Sequence, residues 1–295
     1  QADIAERLGL SQARVSRLLA AARDEGIVVS VVVPPAGLFT SLERELEDKF
    51  GLSQVHVVDN NGENEDELRY SLGVALTGIF QVLPLEGKSI GFTSWSRSLR
   101  SFVQELQPLT RVKAAKVVEL LGGVGSPALQ NSATSATERI AMLTQSNPFF
   151  LRVPGVTNSI EHMSEIVKPH SHSGKTLAEF SSLDIALIGV GDAGSSAYAH
   201  DDTNFFTSAQ FEMARAQGAI GEINLRFIDA HGVPVVTEAD NQVVGISLSQ
   251  LRNVPLKLGI CGGAGKRQAT LAVARGKWAD VLVTDIESAQ FLLDN

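Results

Sequence analysis

The sequence predicts an α/β protein in which a Rossmann-like parallel sheet, covered by helices on both faces, follows a short helical module. From residue 55 onward, short runs of β-branched residues alternate with helical patterns, as expected for a parallel sheet with crossover helices. The first thirty residues contain two short helical patterns instead, and the Pro34-Pro35 pair ends that part of the chain. We therefore predict two domains, at residues 1–34 and 38–295.

Composition narrows the class of protein. The 295 residues are 44% hydrophobic and 20% charged, which is typical of a globular protein with a sizeable core. The single cysteine, Cys261, excludes an internal disulfide framework, and no apolar run approaches the roughly 20 residues that span a bilayer. We expect a cytoplasmic protein without a membrane segment or signal peptide. Because the sequence begins inside the first helical pattern, at Gln1 and without a methionine, we also expect that upstream residues have been removed.

The distribution of charge is uneven. The net charge of −8 argues against broad nonspecific binding to nucleic acid. Residues 11–23 depart from this balance, since they include three arginines and no acidic residue. Cationic charge confined to one short segment is typical of a small DNA-reading module on an acidic body. A solvated helix face carries such charge too, so the interpretation depends on the pattern around it.

That pattern is a pair of short helices. Ile4, Ala5 and Leu8 share one helical face, Gly9 interrupts it, and Ser11 is a candidate N-cap for a second helix. The apolar residues that the second helix is expected to bury are Val15, Leu18, Leu19 and Ala22. Its outer face carries small, polar and cationic side chains. The predicted DNA contacts are the N-cap residue and the residues of this outer face, namely Ser11, Gln12, Ala13, Arg14, Ser16 and Arg17.

An ordinary helical hairpin is the alternative interpretation of these residues. The spacing of Ala5, Gly9 and Val15 favours a helix-turn-helix. A small residue lets the helices approach, glycine takes the tight turn, and a β-branched residue fills the crossing. Residues 27–33 predict a strand and hence a wing. Because the helix that normally precedes this pair is absent, we expect a truncated winged helix-turn-helix that binds operator DNA.

A connecting helix is predicted next. Its apolar stripe runs through charged residues and consists of Leu38, Phe39, Leu42, Leu46 and Phe50. Such a stripe either packs on the large domain or pairs with a second subunit. Since helix-turn-helix readers bind symmetric sites as dimers, we expect a homo-oligomer, for which the family resemblance described below implies a dimer or a tetramer.

The large domain is expected to contain seven strands and at least six helices. The predicted strands are at 55–59, 89–93, 117–121, 149–153, 185–190, 256–261 and 281–284. The predicted helices are at 65–83, 96–106, 134–145, 207–216, 266–275 and 286–293. In sheets of this kind, ligands bind beyond the carboxyl ends of the strands.

Three of those strand ends carry residues suited to an anionic, hydroxyl-rich ligand. The strand at 89–93 ends in Thr93 and is followed by Ser94 and Trp95. The strand at 117–121 is followed by Gly122 and Gly123, with Gln130 and Asn131 nearby in the sequence. The strand at 256–261 is followed by Gly262, Gly263 and Gly265, and then by Lys266. Helix N-termini bind phosphate and carboxylate through unpaired N–H groups, and glycine permits close backbone approach. Each turn alone is an ordinary βα connection, whereas three at one sheet edge favour a ligand pocket.

Other motifs predict neither catalysis nor a cofactor. Residues 189–194 match G-x-G-x-x-G, but a polar stretch follows where a nucleotide site needs a helix. Lys266 is not the lysine of a Walker A motif, because Ile260 stands where that motif has glycine. His162, His170 and His172 fit no tight ligand spacing and are expected on surface loops. No nucleophile–base pair is recognisable, so we expect no catalytic residue, no metal and no cofactor.

The chain resembles the SorC-type sugar-binding transcription regulators over nearly its whole length. The matching stretches are 1–5 through 18–19, 184–191, 218–223, 262–266 and 280–285. The resemblance implies a sugar or sugar-phosphate effector, an oligomer, and an effector domain similar to sugar-phosphate isomerases and deaminases. It also implies effector contacts at the Thr93-Ser94 turn, Gln130, Glu222 and Lys266. Family members often have glycine where this chain has Ser96.

These observations predict a DNA-binding transcription regulator of a carbohydrate-metabolism operon, controlled by a sugar or sugar-phosphate effector. The alternative is an enzyme of the sugar-phosphate isomerase or deaminase class, because fold alone does not decide function. The N-terminal helix pair and the lack of a recognisable acid–base residue favour the regulator. A nicotinamide-dependent oxidoreductase is a third interpretation, and it rests only on the glycine motif at 189–194.

Overall fold

Seven parallel strands form the centre of the large domain in the computed structural model, which describes residues 2–24, 39–59, 64–109, 112–157, 160–194 and 204–295. The strands of this sheet are β1 Gln54–Val58, β2 Ser89–Phe92, β3 Lys116–Glu119, β4 Asn147–Phe149, β5 Ile185–Gly189, β10 Leu256–Ile260 and β11 Val281–Asp285. Their spatial order is β1-β11-β10-β5-β2-β3-β4, and every neighbouring pair is parallel. The predicted α/β class is therefore confirmed.

Helices cover both faces of the sheet. They are α3 Thr40–Phe50, α4 Glu65–Phe80, α5 Arg97–Glu105, α6 Pro127–Leu143, α7 Ile160–Ile166, α8 His172–Ala178, α9 Ser208–Ala216, α10 Leu248–Arg252, α11 Arg267–Arg275 and α12 Ile286–Asp294. Side chains alternate along the strands: Ile185 and Leu187 belong to the core under α4, α5 and α6, while Ala186 and Ile188 belong to the core under α11. Burial on both faces explains the β-branched runs in the sequence.

The structure also contains a second, smaller sheet that was not predicted from the sequence. It is antiparallel, in the order β6-β7-β8-β9, and its strands are β6 Gly191–Asp192, β7 Gly221–Ile223, β8 Arg226–Ile228 and β9 Pro234–Val235. β6 begins two residues after β5 ends. The segment 189–194, which matches a dinucleotide motif, is thus a strand-to-strand corner, and no helix start stands there.

The boundaries of several predicted elements differ from the structure. The strand expected at 149–153 is β4 Asn147–Phe149, and the helix expected at 134–145 begins seven residues earlier, where Ser126 caps it and Pro127 occupies its first turn. The histidines differ in part from the expected surface loops. His170 and His172 are exposed, but His172 begins α8, while the side chain of His162 lies outside the described residues.

The N-terminal module consists of α1 Ala2–Leu8 and α2 Gln12–Asp24. Gly9 joins them with a φ of +63°, a conformation that glycine adopts without strain. Ala5 and Val15 are buried at the crossing, as the helix-turn-helix spacing predicts. Leu18, by contrast, is 54% exposed, so the predicted burial of this residue is not seen. The predicted wing at 27–33 and the domain boundary near 34 lie outside the described residues.

The connecting helix α3 packs on the large domain. Leu46 and Phe50 are buried in a cluster with residues of β1, β11, α11 and α12. Two carboxylates of α3 accept hydrogen bonds from the outer edge of β1, Glu47 from Val55 N and Glu43 from Val57 N, both at 2.9 Å. The stripe of α3 therefore packs on the large domain, which is one of the two alternatives that the sequence leaves open.

Candidate functional site

A cavity of about 810 Å³ lies at the carboxyl ends of the central strands. It borders the ends of β2, β5 and β10, and β2 and β5 are the neighbours at which the order of the strands reverses direction. In open parallel sheets this point is where ligands bind, because adjacent loops diverge there. The antiparallel sheet closes one side of the cavity through Glu222, Asn224 and Leu225, and two phenylalanines, Phe205 and Phe211, add an apolar patch.

The turn after β2 supplies the polar floor of the cavity. Thr93 and Trp95 line it and are 5% and 8% exposed, whereas Ser94 is buried outside the lining. Ser96 caps α5, its hydroxyl accepting a hydrogen bond from the backbone amide of Leu99. The Ser96 side chain also lies against Gly189, where an added Cβ would meet Ser96 Oγ at 2.5 Å. The serine at this position thus fills the corner between β5 and α5.

A sharp turn between β7 and β8 places Glu222 and Asn224 on the cavity wall. Asn224 and Leu225 both have positive φ, +51° and +60°, as the two-residue hairpin turn requires. The amide of Leu225 donates to Glu222 Oε2 at 2.7 Å, and Thr93 Oγ1 donates to Asn224 Oδ1 at 3.0 Å. A non-glycine residue in this region is strained, and such strain often marks functional positions.

Glu222 carries a perturbed carboxyl group. Burial raises the pKa of Glu222, while the Leu225 amide and the charge of Lys266 oppose the rise. The carboxyl group faces Gly191, where an added Cβ would meet Glu222 Oε1 at 2.1 Å. Any side chain at position 191 would displace the carboxyl group, so glycine is needed for its placement.

The turn after β10 is a glycine-rich turn that borders the cavity. Gly263 has a φ of +95°, which favours glycine, and its amide donates to Asp285 Oδ2 at 2.7 Å. Lys266 closes the turn just before α11 begins, and its Nζ donates to the carbonyl oxygen of Val190 at 2.9 Å. An added Cβ on Gly265 would meet no atom within 4 Å. The backbone of this turn, the start of α11 and the ammonium group of Lys266 thus border the same part of the cavity.

Charged residues surround the mouth of the cavity. Arg69 of α4 pairs with Glu65 and Asp66, and Arg267 of α11 pairs with Glu287 of α12. Arg97, the first residue of α5, is exposed at the rim. Most of these cations are therefore neutralised by neighbouring carboxylates.

Five of the predicted effector contacts line the cavity, namely Thr93, Trp95, Glu222, Gly263 and Lys266. The turn after β3 contributes Leu121 and Val124 instead of its glycines. Gly122 and Gly123 donate through their backbone amides to Val244 and Val153, and an added Cβ on Gly122 would meet the carbonyl oxygen of Val153 at 2.7 Å, which explains the glycine there. Gln130 donates to the carbonyl oxygen of Gly125, and Asn131 is exposed on α6.

Asp285, which positions the site, and Asn224, which lines it, are among the residues that were not found from the sequence. Asp285 is fully buried and holds the turn at Gly263, and an aspartate between a strand and a helix is an N-cap signal that was available. Asn224 stands in a two-residue turn between strands too short to recognise, although asparagine tolerates positive φ. In the part of the chain that the structure describes, no cluster of three potential metal ligands occurs.

The helix-turn-helix presents its second helix to solvent. Ser11 Oγ accepts a hydrogen bond from Arg14 N at 3.3 Å, which places the cap where the sequence predicts it. All six predicted DNA contacts are exposed. Across the described ranges, the structure contains no helix with the length and apolar character of a membrane-spanning segment.

Comparison with known proteins identifies similar chains over almost the whole length. Residues 35–294 match the Sugar-bind family, described as "Putative sugar-binding domain". The sorbitol operon regulator of Klebsiella pneumoniae is 29% identical over 298 residues, covering 99% of this chain and 92% of the relative. The deoxyribonucleoside regulator of Bacillus subtilis is 28% identical over 300 residues, covering 100% and 93%.

Solved structures agree with these relatives. The crystal structure of the full-length sorbitol operon regulator SorC from Klebsiella pneumoniae matches with a TM-score of 0.79 at 27% identity, covering 99% of this chain and 93% of that one. The sugar-binding domain of the transcriptional regulator DeoR from Pseudomonas syringae pv. tomato matches with a TM-score of 0.66 at 31% identity, covering 87% and 99%.

Proposed function

The chain belongs to the SorC-type family of sugar-binding transcriptional regulators, and from that premise we propose that its cavity binds a sugar or sugar phosphate that controls operator binding by the helix-turn-helix. The regulated genes are then those of a carbohydrate-metabolism operon. Relatives named for the sorbitol operon and for deoxyribonucleosides support an effector from the class of polyols, sugars and their phosphates.

One observation carries the effector assignment. The same cavity is lined by a glycine turn with Lys266 and by the polar group of Thr93, Glu222 and Asn224. The turn suits an anionic group, since backbone amides at a helix start and an ammonium ion attract phosphate. The polar group suits hydroxyls, which donate to carboxylates and accept from amides. A sugar phosphate has both kinds of group in one molecule.

Operator binding is assigned to the exposed face of α2. Arg14 and Arg17 project from its first turns, where a recognition helix contacts base edges in the major groove. Ser11, Gln12, Ala13 and Ser16 complete that face. Helix-turn-helix proteins bind symmetric sites as dimers, so we propose a two-fold symmetric operator and a dimer or tetramer of this chain. Because α3 is packed within the chain, the subunit interface is expected on other surfaces. Because the proposed partner is operator DNA, we propose that the protein acts in the cytoplasm.

We assign no catalytic role to the cavity. The alternative, a sugar-phosphate isomerase or deaminase, is supported by one observation, which is that burial raises the pKa of Glu222 in a ligand cavity. Turnover would need a second positioned acid or base against the substrate. No histidine is present among the lining residues that the structure describes. We propose no cofactor for the same site.

The decisive experiment combines DNA and ligand. The protein is titrated onto the DNA upstream of its gene by fluorescence anisotropy, with sorbitol, deoxyribonucleosides, hexoses and their phosphates added in turn. A regulator binds that DNA, and one class of sugar changes its affinity. Product analysis of the same mixtures tests the enzyme, because conversion of any sugar phosphate would favour that alternative.

A further inference from the structure

Two buried N–H donors on the cavity wall have no hydrogen-bond acceptor among the described residues. They are the indole Nε1 of Trp95 and the amide Nδ2 of Asn224. Trp95 is 8% exposed and Asn224 is 3% exposed, and both line the cavity. More than nine in ten buried polar groups in proteins are paired, so two unpaired donors on one wall require an explanation.

In the structure, the carbonyl side of the Asn224 amide faces Thr93. Thr93 Oγ1 donates to Asn224 Oδ1 at 3.0 Å, so the carbonyl side of the amide is occupied and the amino side is left over. The residue stands at a φ of +51° in the turn whose next amide holds Glu222. Both the strain of the turn and the unpaired amino group cost stability. Groups kept at such a cost are typical of binding sites.

The charge around these donors selects the kind of ligand atom. Glu222 belongs to the same turn as Asn224. Burial raises the pKa of Glu222, the charge of Lys266 lowers it and, less strongly, that of Asp192 raises it, so two carboxyl groups and one ammonium group lie near this turn. A phosphate or carboxylate at this wall would meet like charge once the two carboxyl groups ionise. A neutral oxygen that accepts from the two N–H groups avoids that repulsion, and a hydroxyl can also donate to Glu222.

We propose that Trp95 Nε1 and Asn224 Nδ2 form a neutral-oxygen subsite that holds a hydroxyl or ring oxygen of the effector and selects for an oxygen at that position. The anionic group of a sugar phosphate lies instead at the turn of Gly263 and Lys266. The subsite rests on the proposed function, because it describes one part of the same cavity. An effector without the oxygen would leave both donors unpaired and bind weakly.

A first test needs no ligand and uses a matched pair of tryptophans, the two in the chain. Trp278 is buried like Trp95, but its Nε1 donates to the carbonyl oxygen of Gly232 at 2.7 Å. We expect Trp278→Phe to lower the unfolding temperature by about 2–4 °C or more. Trp95→Phe also loses buried aromatic surface, but it removes a donor without a partner, so we expect its unfolding temperature to fall clearly less than that of Trp278→Phe. A loss at position 95 as large as at position 278 would mean that the protein already supplies an acceptor, and the subsite would be wrong.

The second test identifies the atom that the donors bind. The two indole N–H signals of the full chain are assigned by NMR with the same variants, and the chain is titrated separately with sorbitol and with inorganic phosphate. We expect sorbitol to shift the Trp95 signal and phosphate to leave it unchanged, with the Trp278 signal constant throughout. A shift with phosphate, or none with sorbitol, overturns the assignment. DNA takes no part in this measurement, so failure of operator binding would be recognised separately.

Discussion

The carboxylate of Asp285 accepts a hydrogen bond from the backbone amide of Gly263 at 2.7 Å. Asp285 ends β11 and Gly263 follows β10, so a side chain on one strand fixes the glycine turn after its neighbour. The same carboxylate caps α12 by accepting from the amide and the hydroxyl of Ser288, at 3.0 and 2.7 Å. One buried acid therefore holds both the anion turn and the start of the last helix.

The first prediction concerns this acid. Asp285→Asn replaces one acceptor oxygen by an amino group that cannot accept from Gly263 or Ser288. We expect the free energy of unfolding to fall by about 1–3 kcal/mol and the affinity for a sugar phosphate to fall with it. Denaturant unfolding and calorimetry measure the two effects. Ser288→Ala is the control, since it removes a partner of the helix cap and leaves the bond to Gly263. Wild-type ligand affinity in Asp285→Asn would show that the turn does not need the carboxylate.

The second prediction uses the pH dependence of stability. Burial raises the pKa of Glu222 above its value in the unfolded chain, about 4.5. The folded protein therefore binds this proton more tightly, and the associated stability is complete below pH 4.5 and is lost as the pH rises through the folded-state pKa. Glu222→Gln cannot ionise. We expect the unfolding temperature of Glu222→Gln, relative to the parent, to increase with pH above about 4.5.

Glu119 is the matched control for that experiment. Burial also raises the pKa of Glu119, which accepts from Leu151 N at 2.8 Å and from Thr137 Oγ1 at 3.0 Å, outside the cavity lining. Glu119→Gln should show the same trend with pH and retain the parent's affinity for sugars, whereas Glu222→Gln should lose affinity. A pH-independent difference between Glu222→Gln and the parent would contradict a raised pKa.

Most of the large sheet could be predicted from the sequence because its strands are buried on both faces. Runs such as 185–190 and 281–283 are apolar throughout, and the second is followed by α12, whose start is signalled by Asp285. A hydrophobic pattern can be recognised from neighbouring residues alone, and it is clear in these strands. The cavity could be placed at the carboxyl ends of the strands for the same reason, since parallel strands share one edge.

The small sheet and part of the site could not be predicted, because long-range contacts determine them. β6 to β9 have only two or three residues each, which is too short for alternation to be recognised. The glycines at 122–123 look like a ligand turn in the sequence, but they pair with Val153 and Val244, distant in the chain. The pairing of Asp285 with Gly263 likewise depends on β10 and β11 being neighbours.

The third prediction concerns Lys266. Lys266→Ala removes the ammonium group at the anion turn, and we expect the affinity for a sugar phosphate to fall about ten- to a hundredfold, the value of a charge-assisted hydrogen bond. Since Lys266 is half-buried and its Nζ binds a backbone oxygen, a small loss of stability is also expected. Lys113→Ala, an exposed lysine outside the cavity lining, is the control. Calorimetry on both variants decides the role, and unchanged affinity in a folded Lys266→Ala protein would exclude the proposed contact.

The last prediction tests the DNA-reading face. Arg14 and Arg17 are exposed on α2, one helical turn apart, and the Arg17 side chain donates to the carbonyl oxygen of Ala13 at 3.3 Å. Replacing either by alanine should weaken binding to the gene's upstream DNA by about 1–3 kcal/mol if the guanidinium group contacts a guanine edge. A phosphate contact would lower affinity equally on unrelated sequences and reduce the salt dependence of binding. Comparison of the two variants on upstream and scrambled DNA separates these contacts, with Lys168→Ala, an exposed lysine of the large domain, as the control for charge. If the double variant binds the upstream DNA as the parent does, α2 is not the recognition helix.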